Sequence, residues 1–163
     1  MTHVQLTGPK VGVESTVDSF IANLPELLGA LLVDHRCIVV IAEFVDHRYV
    51  QFRLDSPTHF VGEVISNLYI SDLRALSNSD EEKLERMGWN QPHVPDRPNW
   101  FRSGSSIGDL IEVIDLTRRA VYDVLAEKPS NVVLVRTFEV TRKTPVILRD
   151  DEEPFRVHEL EFD

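Results

Sequence analysis

Apolar side chains recur every three or four positions early in the chain, at Val17, Phe20, Ile21, Leu24, Leu27, Leu28, Leu31 and Leu32. That spacing describes one face of a helix over 16–32, with Ser15 or Thr16 available as the capping residue. Pro25 falls inside it and is expected to kink or split it, because proline lacks the backbone donor and its ring crowds the preceding turn. From Arg36 the period changes. Cys37, Ile38, Val39, Val40, Ile41, Ala42 and Phe44 form a continuous apolar run, which predicts a strand over 36–44 covered on both faces. Asp46 and His47 supply turn chemistry. Over 48–54, Val50, Phe52 and Leu54 alternate with Tyr49, Gln51 and Arg53, as in a strand with one wet face. After Asp55, Ser56 and Pro57, residues 60–67 predict a third strand, and the short connections make the three an antiparallel meander.

Ser79 with Glu82 reads as a capping box, Leu84 and Met87 follow at helical spacing, and Gly88 offers a C-cap. An irregular stretch with Pro92, Pro95 and Pro98 then ends at Asn99, Trp100 and Phe101. Its two tryptophans, Trp89 and Trp100, are expected to pin the loop to the body of the domain. Ser106 with Asp109 opens a helix over 106–126 whose apolar stripe runs through Ile107, Leu110, Ile111, Ile114, Val121, Val124 and Leu125. Residues 131–140 predict a fourth strand. The expected fold is therefore α+β: an antiparallel sheet of at least four strands with helices packed on one face. Residues 1–14 form an arm or short edge segment, 15–140 the body, and 141–163 an acidic extension with room for an added strand or hairpin. One helical layer covers one side of a sheet, so the second apolar side of the first strand must meet another helix, the acidic extension, a second subunit or a client.

Composition narrows the function classes. Of 163 residues, 42% are hydrophobic, which a folded core requires, and the single cysteine excludes an internal disulfide. With 27 acidic against 17 basic side chains the net charge is -10, and no cluster of Lys and Arg suggests nucleic acid. No apolar run approaches the ~18 residues of a membrane span, and the N-terminal stretch lacks the apolar segment of a signal peptide, so a cytoplasmic location is expected. Phosphate-binding, dinucleotide, zinc-protease and nucleophile-elbow motifs are missing. No catalytic residue, cofactor or metal ligand is assigned. Cys37 with a histidine such as His35 or His47 is one conceivable nucleophile and base, yet it opens an apolar strand, where cysteines behave as small inert hydrophobes. The sequence Val-Asp-His-Arg occurs at 33–36 and again at 45–48, but a strand about 25 Å long separates Asp34 and His35 from Asp46 and His47, too far for one ligand shell. Asp80, Glu81, Glu82 and Glu85 read as a solvated helix face.

Glu63, Asn67 and Tyr69, then Leu84-Glu85-Arg86-Met87-Gly88-Trp89, Pro92 and Asn99-Trp100, resemble the actinobacterial TY-Chap family, whose domains are similar to type III secretion chaperones and to YbjN proteins. The resemblance covers roughly residues 15–140, and the Gly-Trp, Pro, Asn-Trp spacing carries most of it. It implies a chaperone-like α+β fold and a noncatalytic chaperone or adaptor that binds a segment of a client protein, in the manner of proteins that are commonly homodimers. The candidate partner-binding residues are Trp89, Pro92, Trp100 and Phe101. The alternative is a small-ligand protein or enzyme with a site near Cys37 or the 89–100 loop.

Overall fold

A computed structural model of the chain describes residues 3–7, 12–33, 37–56, 58–70, 74–93 and 97–144. Asp34, His35 and the segment 145–163 lie outside the described residues. The elements run β1 (His3–Thr7), β2 (Val13–Thr16), α1 (Val17–Leu32), β3 (Ile38–Phe44), β4 (Tyr49–Ser56), β5 (His59–Val64), α2 (Asn78–Met87), β6 (Trp100–Gly104), α3 (Ile107–Arg119), a π-helical turn (Ala120–Val124) and β7 (Val132–Thr144). They build one antiparallel sheet in the order β1-β7-β3-β4-β5-β6, with β2 pairing the start of β7 on the side where β1 pairs its end. The expected α+β class and the meander of β3, β4 and β5 are as found.

Strand register decides which residues share a face. Ile38, Leu54, Phe60 and Gly104 lie side by side, as do Val40, Phe52, Gly62 and Arg102, then Ala42, Val50, Val64 and Trp100. This first face carries the main core, closed by Phe20, Leu24 and Leu28 of α1, Leu84 of α2, and Leu110, Val113 and Ile114 of α3. α1 packs on β4, β7 and α3, while α3 lies over β5 and β6. Thr16 caps α1 by accepting from the Ser19 amide at 3.1 Å.

Several sequence expectations are corrected. Pro25 does not split α1, which runs sixteen residues through it; burial of Phe20, Leu24, Leu28 and Leu32 along one stripe outweighs the lost hydrogen bond. The capping box of α2 uses Ser77 and Asp80, not Ser79 and Glu82: the Ser77 hydroxyl accepts from the Asp80 amide at 3.0 Å and Asp80 accepts from the Ser77 amide at 3.1 Å. The irregular stretch before Ser106 ends in a strand, β6. Ile107 and Ile111 do not belong to the buried stripe of α3, being 67% and 64% exposed. Val113 sets that rotation. It points at the sheet over Gly62, and two residues away Ile111 lies about 200° around the helix, facing solvent. The fourth strand runs on to Thr144, so residues 141–144 belong to β7.

The largest correction concerns β4. Tyr49, Gln51 and Arg53, expected to face water, are all buried.

Candidate functional site

Helix α2 ends at Gly88, whose φ of 107° is left-handed and whose amide bonds back to the Glu85 carbonyl at 3.1 Å. The Trp89 amide follows to the Leu84 carbonyl at 3.0 Å, which turns the chain so that the Trp89 ring enters the core. Asn90 then exchanges two backbone bonds with Phe101, at 2.9 and 3.2 Å, and His93 pairs with Arg97. The proline-rich loop is thus a short hairpin-like excursion laid along the outer edge of β6. Arg102 braces its start, donating to the Gly88 carbonyl at 3.0 Å and to the Glu112 carboxylate of α3 at 3.0 Å.

Between this loop and α2 lies a groove of about 370 Å³ lined by Asn78, Glu81, Glu82, Glu85, Gln91, Pro92 and Trp100. Glu81 and Glu85 stand one helical turn apart on the same side of α2. Trp100 is 3% exposed and supplies apolar wall, with Pro92 half-buried beside it. The charged groups of the lining are all carboxylates, so the groove favours a cationic occupant. A smaller hollow of about 220 Å³, lined by Asn90, Arg102, Ser103, Asp109, Glu112 and Val113, lies against α3.

The four candidate residues do not form one cluster. Trp89 and Trp100 are both buried in the core, as the loop reading expects, and neither indole N–H has a hydrogen-bond partner among the described residues. Pro92 joins Trp100 in the groove. Phe101 faces the other way, because its register partner Glu63 lies on the second face of the sheet; there the Arg97 guanidinium stands 5.7 Å over its ring. The carboxylates of α2, read from the sequence as a solvated face, are the residues that define the groove. Nothing in their own spacing marks them, since it is the loop laid opposite that turns the helix face into a wall.

The second face holds a buried polar ladder. Its middle rows, set by register, are Phe138, Val39, Arg53, Val61 and Ser103, then Arg136, Ile41, Gln51, Glu63 and Phe101. Gln51 donates to Glu63 at 2.8 Å, and Arg136 pairs with Glu43 at 3.3 Å. Burial pushes the Glu63 carboxyl up from its ordinary value, opposed by the Gln51 hydrogen bond and by the charges of Arg53 and Arg97. Burial also lowers Arg53, with Asp55 opposing from 3.6 Å. At one end Asn99 donates to the Tyr49 hydroxyl at 3.1 Å and accepts from the Ser66 amide at 3.1 Å. Asn67 clamps the following loop, accepting from the Leu76 amide at 2.7 Å and donating to its carbonyl at 3.0 Å. Glu63, Asn67 and Asn99 of the family-like pattern therefore brace loops and strands rather than face a groove.

Cys37 is half-buried, and its thiol lies 3.4 Å from an Asp55 oxygen whose carboxylate also meets His59 at 3.4 Å. The carboxylate stands between thiol and imidazole, an arrangement unlike a nucleophile with its base. Asp46 braces the turn between β3 and β4 by accepting from the Arg48 guanidinium at 2.6 Å. No group of three or more His, Cys, Asp or Glu residues suited to a metal occurs among the described residues, and none of their helices is long and apolar enough to cross a membrane.

Residues 13–145 match the family described as T3SS (YopN, CesT) and YbjN peptide-binding chaperone 3, TY-Chap3. The match spans most of the chain, from β2 through β7, and the chain belongs to this family of peptide-binding chaperones. No curated protein and no solved structure matches it.

Proposed function

We propose that the protein is a noncatalytic, cytoplasmic chaperone or adaptor that holds a short segment of a partner protein in the groove between α2 and the 88–101 loop. The observation that carries this reading is the groove's chemistry in a chain of a peptide-binding family: three carboxylates along one lip, with Pro92 and Trp100 as apolar wall. Such a site takes an extended segment in which Lys or Arg alternates with apolar residues, the cations meeting Glu81, Glu82 and Glu85. Titration of fluorescently labelled peptides of this pattern, against a panel in which Glu replaces the basic residues, tests it directly. The doubly reversed variant Glu81→Lys/Glu85→Lys should bind the basic peptides at least about tenfold more weakly, a loss of ~1.4 kcal/mol. Neither side chain belongs to the buried core, so the melting temperature should change little. Equal binding of acidic and basic peptides, or full affinity after charge reversal, rejects the groove.

A homodimer is the assembly implied by the family resemblance. Its motive in the sequence was an open second sheet face, and Val39, Ile41 and Val61 of that face are buried within the single chain. A dimer would use another surface. Light scattering decides the point, since a mass near 18.7 kDa at every concentration rejects it.

A further inference from the structure

Two carboxylates of α3 meet arginines on the surface, Asp115 pairing with Arg118 at 2.6 Å and Glu112 with Arg102 at 3.0 Å. The carboxylates of α2 are different. Glu81, Glu82 and Glu85 have no ion-pair partner among the described residues, although Lys83 and Arg86 stand on the same helix. All three acids line the groove beside α2, and neither cation does. Across from them the wall is apolar, made by Pro92 and Trp100. Trp100 is 3% exposed, and its indole N–H has no hydrogen-bond partner among the described residues. The groove therefore combines unanswered acceptors on one side with an unanswered donor on the other.

We propose that the groove selects arginine over lysine in the segment it holds, an inference that rests on the peptide-groove reading above. Glu81 and Glu85 stand one helical turn apart and Glu82 and Glu85 three residues apart, with roughly 5–6 Å between neighbouring Cβ atoms. A guanidinium presents five donors in a fixed planar fork, so it bonds carboxylates along two of its edges at once. An ammonium is a compact, strongly hydrated point charge with three donors, and it gives up more water to reach the same acids. The second wall sharpens the choice. A guanidinium is weakly hydrated on its faces and packs on flat apolar groups, so it settles against Pro92 and Trp100 while its edges meet the acids. The indole N–H asks for an acceptor, which a guanidinium lacks and a main-chain carbonyl beside it supplies, so the occupant is an arginine within a peptide rather than a free cation. At about 370 Å³ the groove is near the low end of the roughly 300–1,000 Å³ of ligand pockets, which suits a few side chains of an extended segment and not a folded element.

Three labelled peptides titrated against the full chain test it. They share one apolar framework and differ only at the basic positions, which carry Arg, Lys or asymmetric dimethylarginine. The Arg peptide should bind at least about fivefold more tightly than the Lys peptide, and dimethylarginine, which keeps the charge but blocks bidentate bonding, should fall to the Lys level. The same titrations on Glu81→Lys/Glu85→Lys, with circular dichroism to show that the variant is folded, separate this inference from the groove itself. Equal affinity for the Arg and Lys peptides, lost together on charge reversal, overturns the choice of arginine and leaves the groove standing. Dimethylarginine bound as tightly as Arg overturns it too, since charge alone would then be read. Binding of the Arg peptide that charge reversal does not weaken, or no binding of any of the three, overturns both.

Discussion

Gln51 and Glu63 stand directly opposite one another on β4 and β5, both buried, with the amide of the first donating to the carboxylate of the second at 2.8 Å. The pair answers part of the hydrogen-bonding demand that two long polar side chains bring into a covered sheet face. The answer is incomplete in one respect, because desolvation still raises the Glu63 carboxyl. The folded chain therefore binds that proton more tightly than the unfolded chain does. Stability from this group is fully present below the ordinary glutamate range near ~4.3 and is lost as pH rises through the folded value.

Glu63→Gln removes that titration while keeping an oxygen that accepts from Gln51. As pH rises above the ordinary glutamate range, the variant's melting temperature should fall less steeply than that of the native chain. Glu127 is also raised, by burial and by Asp46, but it is common to both proteins and cancels in the comparison. Melting curves recorded by circular dichroism across that range would show parallel slopes if Glu63 were ionised without cost.

Trp89 and Trp100 bury large rings whose indole N–H groups are unpartnered among the described residues. Truncation should therefore separate volume from polarity. Trp100→Ala removes most of a core side chain and should cost ~3–5 kcal/mol. Trp100→Phe keeps much of the ring and discards the buried donor, so its cost should stay below ~2 kcal/mol. Urea unfolding measures both, and a Trp100→Ala chain as stable as the native one would mean that the ring does not anchor the loop.

The periodic parts of this fold were legible, and the reasons for the exceptions are local. The apolar run of β3 announced burial on both faces, and Gly88 announced the end of α2. Gln51 and Arg53 misled because alternation reports polarity, not exposure. A polar face reads as wet unless the partners that satisfy it are known, and Glu63 and Asp55 come from a neighbouring strand and from the end of β4. β6 was hidden because Trp100 to Gly104 is short and contains Arg, Ser and Gly, and its pairing to β5 is non-local. The groove was hidden for the same kind of reason. Its acidic lip and its apolar wall are separated along the chain by the turn at Gly88 and the hairpin beyond it, and the segment's fold brings them face to face.

Two serines two residues apart make the helix start a sharp test. Ser77 caps α2 in reciprocal bonds with Asp80, whereas Ser79 lies inside the first turn. Ser77→Ala should cost ~1 kcal/mol, within the usual range for a lost N-cap. Ser79→Ala should cost nothing and could gain slightly from helix propensity. The reverse order in thermal melts would place the start of the helix two residues later.

Gly62 is where α3 comes closest to the sheet. A Cβ built there would stand 2.6 Å from Cγ1 of Val113 and 3.5 Å from the Phe52 ring. Val113 cannot easily swing aside, because a β-branched side chain in a helix has one strongly preferred rotamer. Gly62→Ala must therefore lift α3 or push Phe52, at a cost of ~1–3 kcal/mol typical of overpacking. Val113→Ala creates the opposite defect, a small cavity over the glycine. Combined, the two changes should relieve one another, so the double variant should be more stable than the sum of the single losses predicts, by at least ~0.5 kcal/mol. Urea unfolding of the four proteins closes this cycle. Strict additivity would show that α3 does not rest on Gly62 through Val113, and that the exposure of Ile111 on its far side has another cause.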